Sequence, residues 1–128
     1  MTADQAGFVR RTDLVLFVAT VLANVALLYW PRPVSTGGDL PHLDKVAHLL
    51  VFAAVAWTGL RAGVPARWLL PALGLHAVSS ELAQAYLLPR RSGDVADVVA
   101  DLAGVLTGTL AARASWRHER AAPTVPGG

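Results

Sequence analysis

Apolar residues gather into four runs along the chain, separated by short polar punctuation. The first is LVLFVATVLANVALLYW, from Leu14 to Trp30. The second is VAHLLVFAAVAWTGL, from Val46 to Leu60, and the third is WLLPALGLHAVSSELAQAYLL, from Trp68 to Leu88. The fourth is DVADVVADLAGVLTGTLAA, from Asp94 to Ala112. A helix that crosses a bilayer needs about 20 residues, within a range near 17–25. The first and third runs meet that length. The second is short unless the Asp44–Lys45 pair upstream is counted, and the fourth carries Asp94, Asp97 and Asp101. The connectors run from Pro31 to Leu43, then RAGVPAR, then PRRSGD, and read as turns at a membrane surface. Trp30, Trp57, Trp68 and Tyr86 lie at or near run ends, where aromatic belts sit. The pattern predicts an all-α integral membrane bundle of four transmembrane helices over residues 14–112. Residues 1–13 form a short N-terminal segment, and residues 113–128 a polar tail without regular structure, ending APTVPGG.

Composition agrees with the pattern. The chain is 54% hydrophobic and only 16% charged, whereas soluble domains sit at about 45–50% apolar. It has no cysteine, so disulfides and thiolate metal sites are excluded. No basic run is interleaved with aromatics, which argues against nucleic-acid binding. With four spans, the termini and the middle loop share one side and hold Arg10, Arg11, Arg61, Arg67, Arg113, Arg117 and Arg120. The other side holds Arg32, Lys45, Arg90 and Arg91. That excess puts both termini in the cytoplasm; a composition rich in alanine, leucine and arginine with one lysine suggests a bacterium, so the expectation is a multi-pass protein of a bacterial cytoplasmic membrane. A cleaved signal peptide over residues 1–30 is the rival reading; the apolar run is long for one, and no small-x-small site follows it.

The fourth run carries the most information. Asp94, Asp97, Asp101, Gly104 and Gly108 share one helical face, acidic at its start and small at its end. The glycines read as close helix packing. At about 1.5 Å per residue, Asp101 lies roughly 10 Å below Asp94, and Glu81 roughly 10 Å below Leu88. Asn24 and His48 lie at a similar level, roughly 8–9 Å in. Four helices thus bring polar groups to one depth, and an ionisable group inside a span is a site candidate by default. Asp44, His48 and Phe52 share a stripe on the second helix; Glu81 and Gln84 share one on the third, with Ser80 beside them and His76 a turn deeper. The expectation is a polar chamber open toward the outside, rimmed by Lys45, Arg90 and Arg91.

Lys45 is the only lysine beside ten arginines. It is a compact charge on a flexible stem, suited to pairing with Asp44 or the acids below it; the plainer reading is a snorkelling interface lysine. Glu81, Asp97 and Asp101 are expected to share protons and titrate as a unit; the plainer reading is a polar network locking the helices. His76 reads as a helix-to-helix hydrogen bond, and His42 and His118 as exposed. Arg90 and Arg91 suit a lipid phosphate or an acidic wall group, or ordinary head-group anchoring.

The stretches LPHLDKVAHLLVF and SSELAQAYLLPRRSGDVADVVADLAGVLTG resemble the VanZ-like membrane protein family. That family's pattern is similar to a D-K-x-x-H-F-x-x-F helix, an E-x-x-Q helix ending in P-x-R, and a D-x-x-x-N-x-x-G helix. The matching positions are Asp44, Lys45, His48 and Phe52, then Glu81, Gln84, Pro89 and Arg91, then Asp94, Asp97 and Gly104. Leu49 stands where an aromatic is usual, and Asp101 where asparagine is usual. The resemblance implies a link to low-level resistance to the glycopeptide teicoplanin.

Three functions follow as expectations. The leading one is recognition or modification, at the outer membrane face, of a lipid-linked wall component or amphiphilic glycopeptide. Its binding residues are Asp44, Lys45, His48, Glu81, Gln84, Arg90, Arg91, Asp94, Asp97 and Asp101. The partners are membrane lipids and that ligand, and no cofactor is implied. The second is an intramembrane enzyme with Lys45, His48, Glu81, Asp97 and Asp101 as catalytic candidates. It would use acid–base chemistry or a hard divalent metal held by the histidine and acids, although no H-E-x-x-H motif is present. The third is a small proton-coupled transporter, for which four helices are few unless the chain forms a homo-oligomer.

Overall fold

In the computed structural model every regular element among the described residues is helical: α1 (Ala3–Tyr29), α2 (Leu43–Arg61), α3 (Ala66–Tyr86) and α4 (Val95–Ala121). The structure describes residues 3–30, 42–88 and 93–121, with side chains over 11–30, 42–88 and 93–120. Two boundaries differ from the sequence-based expectation. Helix α1 begins well before Leu14, and α4 runs on past Ala112 to Ala121. The extension 113–121 holds three arginines, two alanines and a glutamate, which favour helix. It is also tied down, because Glu119 accepts a bond from Arg61 at 2.8 Å. The expected irregular tail therefore does not begin at residue 113, and APTVPGG lies outside the described residues.

Cross-helix contacts give the direction of each helix. Thr20 meets Thr58 at 2.8 Å, and Asp13 meets Arg61 at 3.6 Å, so α1 and α2 are antiparallel. His48 lies near Glu81 and Phe52 stacks near His76, so α3 runs back along α2. Lys45 meets Asp97, His48 meets Asp101 and Arg61 meets Glu119, so α4 runs parallel to α2. The helices alternate up and down. Asp13 of α1 and Glu119 of α4 meet Arg61 at the same end.

Two features set the packing. Between α2 and α3, Gly63 takes φ 86, a left-handed value that favours glycine. Gly63 and Val64 donate their N–H groups back to the carbonyls of Leu60 and Gly59, closing the end of α2. Between α2 and α4 the backbones nearly touch. A Cβ at Gly104 would meet the Leu49 carbonyl and come 3.1 Å from the Ala53 nitrogen; one at Gly108 would strike the Ala53 backbone. The close-packing reading of these glycines holds, and it brings the acidic half of α4 against α2.

Polar groups share the interior with an apolar core that includes Leu28, Phe52, Val55, Leu60, Leu69 and Leu73. Leu14, Val15 and Leu22 on α1, Trp68 and Leu75 on α3, and Val95, Val99 and Leu106 on α4 face outward. Asn24, His48, Glu81, Gln84, Asp97 and Asp101 face inward. Large exposed apolar faces of this kind mark contact with lipid or partners. Among the described residues, three helices are long and apolar enough to cross a membrane: α1 over Arg11–Tyr29, α2 over Leu43–Arg61 and α4 over Val95–Arg120. The apolar residues around the α4 aspartates keep that helix apolar enough to span, and the upstream turn from Leu43 lengthens α2. Helix α3 is not among them; it holds His76, Ser79, Ser80, Glu81 and Gln84 within its length.

Candidate functional site

The site grows from the start of α4. Asp94 precedes the helix, and its Oδ1 accepts the Ala96 N–H at 2.9 Å, an N-cap bond that satisfies an otherwise orphan donor. Its Oδ2 accepts from Lys45 Nζ at 2.8 Å, so one carboxylate both caps α4 and joins it to α2. The Lys45 ammonium, more than any other neighbour, holds the exposed Asp94 carboxyl below the usual carboxylate range. Lys45 also donates to Asp97 Oδ1 at 3.1 Å. The lysine therefore bridges two acids one turn apart on the neighbouring helix, with its side chain 33% exposed. The salt bridges recorded for Lys45 are to these two acids, not to the adjacent Asp44, which is exposed.

One turn deeper lies the buried part. His48 Nδ1 stands 2.9 Å from Asp101 Oδ1 and 3.8 Å from Glu81 Oε1. These three residues come from α2, α4 and α3, and are 2%, 0% and 5% exposed. Glu81 is oriented from behind, because its Oε2 accepts the Asp94 N–H at 2.9 Å. Gly93 permits that approach; a Cβ there would stand 2.6 Å from the Glu81 carbonyl. Two oxygens of the cluster, Glu81 Oε1 and Asp101 Oδ2, are buried without a hydrogen-bond partner. A buried polar atom left unpaired is costly, so native structures keep few of them.

The sequence-predicted residues sort into three groups. Lys45, His48, Glu81, Asp94, Asp97 and Asp101 are brought together, with Asp44 beside them; one oxygen each of Asp44 and Asp97 and one ring nitrogen of His48 lie within 4.8 Å of one another. Gln84 is buried but turned elsewhere: its Nε2 donates to the Leu28 carbonyl at 3.2 Å, joining α3 to α1. His48, Glu81, Asp97 and Asp101 are each at most 5% exposed, and Arg90 and Arg91, expected to rim a chamber above them, lie outside the described residues, as do Pro89 and Arg32. Asn24 leaves the cluster, accepting from His76 Nε2 at 2.9 Å, which bears out the helix-to-helix reading of His76. His42 and His118 are exposed as expected.

Other polar contacts escaped sequence reasoning. Thr20 and Thr58 join α1 to α2, each also bonded to its own helix backbone. Arg61, counted only as a charge, reaches Asp13, Ser115 and Glu119 and lies over the Trp57 ring. A threonine in an apolar run was the available signal for the first pair. Chemically, the buried cluster offers one imidazole oriented by a carboxylate and a second carboxylate in reach. Such a set can pass protons or ligate a cation.

The chain matches no protein-family model, no curated protein and no solved structure.

Proposed function

We propose that this chain is a VanZ-like integral membrane protein with four spans and both termini in the cytoplasm of a bacterial cell. It acts at the outer face of the cytoplasmic membrane, binding or modifying a lipid-linked envelope component or an amphiphilic glycopeptide. One observation carries the reading: the residues of three separate sequence motifs meet at one end of the helix pairing. Asp44, Lys45 and His48, then Glu81, then Asp94, Asp97 and Asp101 assemble within hydrogen-bonding or ion-pairing range of a neighbour or, for Asp44, close beside them. The arginine excess on the opposite loops supports the orientation, with Lys45 outward.

The test is teicoplanin and vancomycin susceptibility in a strain lacking the protein, complemented with wild type, Lys45→Arg or Glu81→Gln at matched membrane abundance. The reading expects deletion to lower the teicoplanin threshold and both variants to fail. Unchanged susceptibility on deletion removes the glycopeptide as the ligand. The topology has its own test, made clean by the absence of cysteine. An impermeant thiol reagent on intact cells should label His42→Cys and spare Ala62→Cys; the reverse pattern inverts the orientation.

A second reading is an acid–base enzyme on a lipid-linked substrate. The bond from His48 to Asp101 supports it, because a carboxylate that fixes an imidazole prepares it for proton transfer. Mass spectrometry of membrane lipids would show a substrate accumulating in an Asp101→Asn strain; an unchanged lipid profile counts against turnover.

A further inference from the structure

We infer that His48, Glu81 and Asp101 bind one divalent transition-metal ion of the zinc, manganese or cobalt(II) type, buried among α2, α3 and α4. The site stands on this cluster alone and does not depend on the envelope reading.

Geometry comes first. One nitrogen of His48 and one oxygen each of Glu81 and Asp101 lie within 4.8 Å of one another, and all three residues are buried. Ligand atoms at about 2.0–2.2 Å from a shared ion stand no more than about 4.4 Å apart. The Nδ1 separations of 2.9 Å and 3.8 Å already fall inside that limit.

Orphaned oxygens are the independent observation. Glu81 Oε1 and Asp101 Oδ2 are sealed from solvent and accept no hydrogen bond. Glu81 Oε1 is also the atom 3.8 Å from His48 Nδ1, so an unpaired lone pair already faces the third ligand. Glu81 meanwhile has its other oxygen engaged from outside the ligand set, its Oε2 accepting the Asp94 N–H. Outer hydrogen bonds that orient a ligating carboxylate are a regular part of metal sites.

Charge points the same way. Lys45 already meets two carboxylates, Asp94 and Asp97, so it has no charge left over for the two beneath. A dication bound by Glu81 and Asp101 carboxylates with neutral His48 has no net charge, which suits a site between apolar helices. Binding through Nδ1 moves the ring proton to Nε2 and exchanges the Nδ1–H···Oδ1 bond for two metal bonds. One nitrogen and two oxygens favour borderline transition ions over magnesium or calcium, which take oxygen alone. Asp97 is left out of the set because Lys45 holds its Oδ1.

The experiment uses the full chain in detergent micelles, stripped by chelator and titrated with cobalt(II), then with zinc(II). The expected result is a visible cobalt band saturating at one ion per chain, displaced by zinc, with a raised unfolding temperature. Asp101→Asn and Glu81→Gln should weaken cobalt at least as much as losing an outer-shell partner does, about 10–100-fold. Asp44→Asn, at an exposed position, should leave it unchanged. Wild type that stays helical and monodisperse after stripping, yet gives no band and no thermal shift, overturns the site whatever the variants do. That is also the outcome if the carboxyls share a proton instead. Binding lost in Asp44→Asn but kept in Glu81→Gln assigns the ion to Asp44, His48 and Asp97, and overturns it as well. Neither outcome touches antibiotic susceptibility, so the two proposals fail separately.

Discussion

At one end of α2, Lys45 reaches two acids at the start of α4; at the other, Arg61 reaches Glu119 near the end of α4 and Asp13 of α1. Both cations tie the same parallel helix pair together. Their surroundings differ. Glu119 is 56% exposed, and Arg61 is also met by Ser115 and the Trp57 ring, so that end resembles a well-satisfied surface network. Beneath Lys45 lie His48, Glu81 and Asp101, nearly solvent-free and with two oxygens unpaired. A surface ion pair contributes about 0–1 kcal/mol, whereas stranding one member of a buried pair costs about 3–5 kcal/mol. Satisfied polar contacts at one end and unsatisfied ones at the other separate a fastening from a site.

The widest gap between the two ends should come from His48→Leu. It leaves Asp101 and Glu81 facing each other, and should cost about 3–5 kcal/mol in equilibrium unfolding in mixed micelles. A loss below about 1 kcal/mol, in the range of an exposed pair, would mean that the buried cluster is no more coupled than the Arg61 end. Next is Gly108→Val, midway between them. Its side chain strikes the Ala53 backbone, so overpacking should cost about 1–3 kcal/mol. If α2 and α4 are forced apart, both ends should loosen together in hydrogen exchange; loosening of one end alone would show that they are independent.

Lys45→Ala sharpens the comparison further. Losing a charged hydrogen-bond donor costs about 1.5–3 kcal/mol. Asp97, at 5% side-chain exposure, should be stranded while Asp94, at 48%, is rehydrated. Adding Asp97→Asn should therefore restore stability where Asp94→Asn does not; equal rescue would mean that depth is irrelevant there. The smallest effect is expected for Glu119→Ala, within about 1 kcal/mol in the same assay. A larger loss would place the Arg61 network on a par with the buried one.

Much of this was legible from periodicity. The stripe from Asp94 through Asp97, Asp101, Gly104 and Gly108 is a property of helical spacing, and its last four members are indeed buried. Depth counting likewise brought His48, Glu81 and Asp101 to one level. It misplaced Asn24, because equal depth does not say which helix a polar group faces, and the stripe shared with Glu81 misplaced Gln84 for the same reason. Asn24 turns to His76 and Gln84 to the Leu28 carbonyl.

The sequence by itself determined the helices, their apolar faces and the set of ionisable residues held away from water, because each follows from local periodicity and hydropathy. Only the tertiary structure decided the partners. The Gly104 and Gly108 contacts set how closely α4 lies on α2 and in what register, and that register sends Lys45 to Asp94 and Asp97 instead of Asp44. The return of α3 then brings Glu81 beneath them. Which polar atoms end satisfied and which end orphaned depends on distances between helices, and local sequence does not encode those.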